Sequence, residues 1–159
     1  MKQKELSIWL RAIVVIGFLC VAFLGAVVVP NTGHSLIGSN PQFAFLYTPF
    51  LIFIWISAAP VFLFLILVWL MAVEIGRDNS FCLKNAARLK MCSFLSIFDT
   101  ILYVAGAIAL GLMGALPPVI LIMIAGLAAV GAAIAVCCAA LSHLTRKAAE
   151  LKAENDLTV

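Results

Sequence analysis

An all-α integral membrane protein, built as a four-helix bundle, is the fold class this sequence predicts. Three observations predict it. First, 65% of the 159 residues are hydrophobic and only 11% are charged, with a mean hydropathy of +1.21. Soluble domains are about half apolar and a quarter charged, and a chain this short buries only about two-thirds of its surface. Second, the 62 residues from Ala12 to Val73 carry no formal charge, and the 53 from Met91 to His143 carry Asp99 alone. At roughly 20 apolar residues per crossing, each run holds two spans. Third, all ten Lys and Arg residues fall outside these runs, on one side of a four-span arrangement.

This balance excludes a soluble globular domain, a disordered chain, a disulfide scaffold and a nucleic-acid-binding domain. The net charge of +3 is explained by basic flanks beside anionic lipid. The runs are continuously apolar rather than alternating, so the spans are helices and not barrel strands.

The first span is expected over 8–29. A basic start followed by an apolar run resembles a signal peptide, but this run is long and ends in no small-x-small site, so the helix is expected to stay. The connection Pro30–Phe45 is neutral and turn-rich, and His34 within it reads as a solvated side chain. The second span, 46–73, is bulky and aromatic, and Pro60 should bend it. Residues 74–90 form an elbow. Asn79 or Ser80 can cap a short amphipathic helix starting at Phe81 and lying along the membrane surface. The third span, 91–114, and the fourth, 117–142, carry Ala107, Gly111 and Ala115, then Ala125, Ala129 and Ala133 with Gly126 and Gly131 nearby. Such spacing lets two backbones approach closely, giving a tight hairpin, with a homodimer through the same faces as the other reading. Pro117–Pro118 suits a first helical turn. The tail, 143–159, reads as a short helix, either separate or continuing the fourth span, in which Arg146 and Glu150 pair at i,i+4. The positive-inside rule places both termini and the elbow in the cytoplasm.

The chemistry-bearing residue is Asp99, nine residues beyond Lys90. A carboxylate at that depth is expensive and should face the bundle interior. Ser96, Asp99 and Tyr103 lie at i, i+3 and i+7 and make a polar stripe. Arg11 is the expected counter-ion, with Glu74 its rival partner. The stripe either fixes helix register or holds a ligand, ion or proton. Cys20, Cys82, Cys92, Cys137 and Cys138 read as small apolar residues, and the adjacent pair is a poor metal chelate. No catalytic triad, HExxH or phosphate loop is present. No enzyme, metal site or cofactor is therefore expected.

The elbow carries a further signal. Gly76-Arg77-Asp78-Asn79-Ser80-Phe81, then Asn85, then Arg88-Leu89, resembles the signature of a bacterial family, domain of unknown function 2975. Its members are short four-span proteins with a pFs-x-x-N-x-x-x-L element between the second and third spans. Phe81, Asn85 and Leu89 match that element in order and spacing. Ser80 stands where Pro is common, and Cys82 where Ser or Thr is common. Members are often encoded beside a small helix-turn-helix regulator of the Cro type. The resemblance implies a protein of the bacterial cytoplasmic membrane with a cytoplasmic regulatory partner. The motif itself reads either as a structural elbow between two spans or as a docking surface for such a partner, with Phe81, Asn85, Arg88 and Leu89 as the docking residues. The other reading is a small transporter or oligomeric channel using the Asp99 stripe.

Overall fold

The computed structural model describes residues 3–39, 41–114, 116 and 118–156. Helix α1 (Gln3–Phe23) passes through a π-helical turn (Leu24–Val28) into α2 (Val29–Ser39). A 3-10 turn (Pro41–Leu46) leads into α3 (Tyr47–Gly76). Helices α4 (Leu83–Leu112) and α5 (Pro118–Asp156) complete the chain. Among the described residues, four helical stretches are long and apolar enough to cross a membrane: Gln3–Ser35, Ala44–Gly76, Leu83–Leu112 and Pro118–Asn155. The protein is a multi-pass, all-α membrane protein.

The burial pattern is that of a protein solvated by lipid. The apolar core consists of Val14, Ala72, Ala86, Cys92, Ala107, Ala135, Cys138 and Ala149, all small or medium-sized. The large side chains, among them Trp9, Trp55, Phe94 and Ile122, point outward. The accessible surface is 10472 Å², against about 7,700 Å² for a soluble protein of this mass. Water would not tolerate that surface; hydrocarbon does.

The helices meet along one path. α1 packs on α3, α3 on α4, and α4 on α5; among the described residues no backbone approach joins α1 to α4 or α5, or α3 to α5. The bundle is thus two antiparallel hairpins set side by side through α3 and α4. The start of α1, the end of α3, the start of α4 and the end of α5 share one end, and the Lys and Arg residues gather there.

Three local expectations change. The connection expected as turns over Pro30–Phe45 is largely helical. Tyr47 holds it: its hydroxyl lies 2.9 Å from His34 Nε2, and its ring covers Gly33. His34 is therefore engaged rather than merely solvated. The π-turn adds a residue to the helix, which keeps Gly33 facing α3 although it lies eight residues after Gly25. The elbow contains no separate surface helix, because its second half is the first two turns of α4, which is continuous over 30 residues. Of the two readings of the tail, continuation holds: it is the end of α5, which runs unbroken for 39 residues.

The α4/α5 hairpin forms as expected, and Gly131 of the expected small residues lies in it, but the alanine row does not. Its seam is Gly131, Ala135, Cys138 and Ser142, against Ala86, Ser93, Ser96 and Thr100 of α4. Ala125, Ala129 and Ala133 are exposed on the opposite side. Ala115 and Pro117 lie outside the described residues.

Candidate functional site

Among the described residues, the expected site residues fall into two groups, one at the basic end and one near mid-depth.

At the basic end, α3 ends in a Schellman motif. Asn79 N–H donates to Glu74 O at 3.1 Å and Asp78 N–H to Ile75 O at 3.1 Å. The motif needs a left-handed residue, usually Gly, after the cap. Here Asp78 takes that role at φ 59°. Three helices then fix the turn. From α1, Ser7 Oγ donates to Ala72 O at 2.6 Å, and Gly76 leaves the space that Ser7 occupies, since a Cβ there would lie 2.8 Å from Ser7 Oγ. The Gln3 amide sits 3.0 Å from Ser80 Oγ; with its nitrogen turned to the loop it also reaches Asp78 Oδ1 at 3.2 Å and Ile75 O at 3.3 Å. From α4, buried Asn85 donates through Nδ2 to Ser80 O at 3.1 Å. Arg88 Nη1 donates to Asn85 Oδ1 and to Leu70 O, both at 3.1 Å, and stands 4.0 Å from Glu74 Oε1.

This geometry redistributes the expected docking residues. Asn85 and Arg88 turn inward and tie the elbow to α3. Leu89 is half-buried. Phe81 alone of the four is open, at 59% exposure, with Leu83 beside it at 60%. Neither Asn79 nor Ser80 caps α4. Cys82 is its N-cap, with extended backbone and no side-chain hydrogen bond. The Asn85 amide instead ties the first turn of the helix to the loop before it by donating to Ser80 O.

The expected stripe is split. Ser96 Oγ donates to Gly131 O of α5 at 2.8 Å, whereas Tyr103 Oη lies 3.3 Å from Ser57 Oγ of α3. Asp99 is near the middle of α4, sixteen residues from Leu83, or about 24 Å along the axis. Arg88 opposite Leu70 and Tyr103 opposite Ser57 set the antiparallel register of α3 and α4. Interpolation puts Asp99 level with Pro60. Proline has no N–H, so the Ile56 carbonyl one turn back lacks its helical donor. Asp99 Oδ1 is buried and has no hydrogen-bond partner.

Arg11 is not its counter-ion. The Arg11 guanidinium lies 5.8 Å from the Trp69 ring centroid and reaches toward Gly76, at the basic end. Trp69 and Pro60 are nine residues apart on α3, about 13 Å of helix, and α1 does not approach α4. Glu74, the rival partner, is engaged by Arg88 instead. The long Arg11 side chain snorkels rather than descends. Sequence reasoning missed Gln3, Ser7 and Ser57; all three are short polar residues whose role depends on which helix faces them.

The model of a family described as protein of unknown function (DUF2975) matches residues 31–159. No curated protein and no solved structure matches the chain.

Proposed function

The chain belongs to this DUF2975 family, and from that premise we propose that it is a non-enzymatic regulatory or interaction protein of the bacterial cytoplasmic membrane. Both termini and the elbow face the cytoplasm in this reading, as the ten basic residues on that side require. The elbow is the platform for a cytoplasmic partner such as a small helix-turn-helix regulator. One observation carries the proposal: a turn fixed from α1, α3 and α4 holds Phe81 and Leu83 outward beside Arg77 and Lys84. A rigid turn with an exposed aromatic residue suits docking, because little order is lost on binding. The test is co-purification from native membranes in mild detergent. A near-stoichiometric helix-turn-helix protein, lost with Phe81→Ser while the membrane protein stays folded, is the expected result. A homo-oligomer that carries no such protein, or a partner indifferent to Phe81, would refute it.

A second reading has its own support. Asp99 Oδ1 is buried and unpartnered, level with the carbonyl that Pro60 leaves bare. An intramembrane carboxylate of this kind suits proton or ion passage between α3 and α4. Proton flux into proteoliposomes, abolished by Asp99→Asn, would favour this transporter or channel reading over docking.

A further inference from the structure

We propose that the cleft between the basic ends of α4 and α5 binds the phosphate of an anionic phospholipid headgroup. The cleft has a volume of about 300 Å³ and is lined by Lys90, Ser93 and Phe94 from α4 and by Ser142, His143 and Arg146 from α5. It lies on the far side of α4 from the elbow contacts and is independent of the docking proposal.

The serines form its floor but do not donate into it. Ser93 Oγ donates to Ala135 O at 2.8 Å and Ser142 Oγ to Ala86 O at 2.7 Å. The donors left for a ligand are the Lys90 ammonium, the His143 ring and Arg146. Arg146 uses Nε on Glu150 Oε1 at 2.9 Å, which leaves its two terminal nitrogens for an anion. Guanidinium and ammonium together suit phosphate, the first as a planar fork and the second as a point charge. Among the described residues the carboxylate paired with this group is Glu150, exposed and one turn beyond Arg146.

Depth identifies the ligand as a lipid. The run of α4 and α5 in which Asp99 is the one charged residue begins just after Lys90 and closes at His143. The cleft therefore stands where hydrocarbon gives way to headgroups. Phe94, at 58% exposure, forms an apolar wall on its deep side, and the Lys90 ammonium lies 5.9 Å from that ring's centroid. A soluble phosphate would use the cations alone; a phospholipid uses the cations and lays its acyl chain along Phe94.

The experiment is native mass spectrometry of delipidated protein titrated with phosphatidylglycerol, phosphatidylcholine or inorganic phosphate. One retained phosphatidylglycerol per chain is expected, with the zwitterionic lipid binding more weakly. Lys90→Gln with Arg146→Gln should lower the apparent affinity roughly tenfold. Arg77→Gln with Lys84→Gln removes the same charge from the same end outside the cleft and should leave it unchanged. If the double variant in the cleft unfolds earlier than wild type, Lys90→Glu alone, on an exposed side chain, repeats the test. Equal loss in the Arg77/Lys84 variant would overturn the proposal in favour of a diffuse surface field. Displacement of the lipid by an equal concentration of inorganic phosphate would overturn it in favour of a free anion.

Discussion

The two hairpins solve the same problem with opposite chemistry. Between helices in lipid there is no hydrophobic driving force, so close packing and hydrogen bonds must hold them together. The α4/α5 hairpin packs small residues on small residues and ties the backbones with three serine hydroxyls, Ser93, Ser96 and Ser142, each on a carbonyl across the seam at 2.7–2.8 Å. The α1/α3 pair packs large residues into small gaps. Leu65 enters the space over Gly17, Trp55 lies against Gly25 and Tyr47 against Gly33, and Phe18 stacks on Phe62 at 5.4 Å. The first seam is intolerant of added volume because backbone lies behind it. The second has flexible side-chain ends that can give way.

The largest expected effect tests that contrast directly. A Cβ at Gly131 would overlap Thr100 Oγ1 and come within 3.9 Å of the Ser96 carbonyl. Gly131→Leu should cost about 3 kcal/mol, as overpacking of a closed core does. Gly131→Ala should cost less, and Thr100→Ala should recover most of that loss. On the other seam a Cβ at Gly17 meets only the end of Leu65, at 3.1 Å, so Gly17→Ala should cost about 0.5 kcal/mol. Unfolding in mixed micelles, titrated with denaturing detergent, would measure all four. Equal costs at Gly131 and Gly17 would dissolve the distinction between the seams.

The joint between the hairpins comes next. Arg88 serves Leu70 O, Asn85 Oδ1 and Glu74 at once. Arg88→Met leaves a shielded carboxylate and two acceptors without their donor, and should cost about 2 kcal/mol. Arg88→Lys should recover only part of this, since an ammonium lacks the fork. A cycle with Glu74→Gln separates the ion pair from the carbonyl bonds. A coupling near zero would mean that the carbonyl and amide bonds carry the joint, not the charges.

Single serine bonds across α4/α5 should matter less. Hydrogen bonds between membrane helices average about 0.6 kcal/mol, so Ser96→Ala should sit near that value by the same titration. A loss several times larger would show that the bond also holds Thr100, which donates to the Ser96 carbonyl at 2.8 Å.

What could be read from the sequence follows from these energetics. Charge and hydropathy fix the number of spans, because the cost of charge in hydrocarbon acts on every residue of a run. The faces of the spans were less legible. α5 carries small residues on two opposite faces, and Ala125, Ala129 and Ala133 look as suited to packing as Gly131, Ala135 and Cys138. Periodicity does not separate them, since lipid-facing and helix-facing positions are both apolar. The polar stripe failed for a related reason. Ser96 and Tyr103 stand only about 20° apart around α4, so angle alone does not separate them; that the first meets α5 and the second α3 depends on which helix lies beside each level. The Arg11–Asp99 pair looked natural because depth along the chain was legible and lateral neighbours were not. The elbow residues stand out in the sequence, but that Asn85 and Arg88 face the protein follows only from the packing of α4 on α3.

The smallest expected effect is a gain. Asp78 is the one non-glycine residue with positive φ among the described residues. It holds the position at which a Schellman motif favours glycine, and its side chain has only the Gln3 amide to reward it. A left-handed L-residue carries a steric cost that glycine avoids, and Asp carries less of it than most. Asp78→Gly should therefore stabilise the protein by about 0.5 kcal/mol, the relief of φ strain offset in part by the freer unfolded chain. Asp78→Val should destabilise it, since a β-branched residue at φ 59° is an outlier. Measured in the wild-type and Gln3→Ala backgrounds, the glycine variant separates strain from bonding. A loss with Gln3 present that turns to a gain without it would mean that Asp78 is kept for its bond to α1. The elbow would then be held by the α1/α3 hairpin as firmly as by its own helix cap.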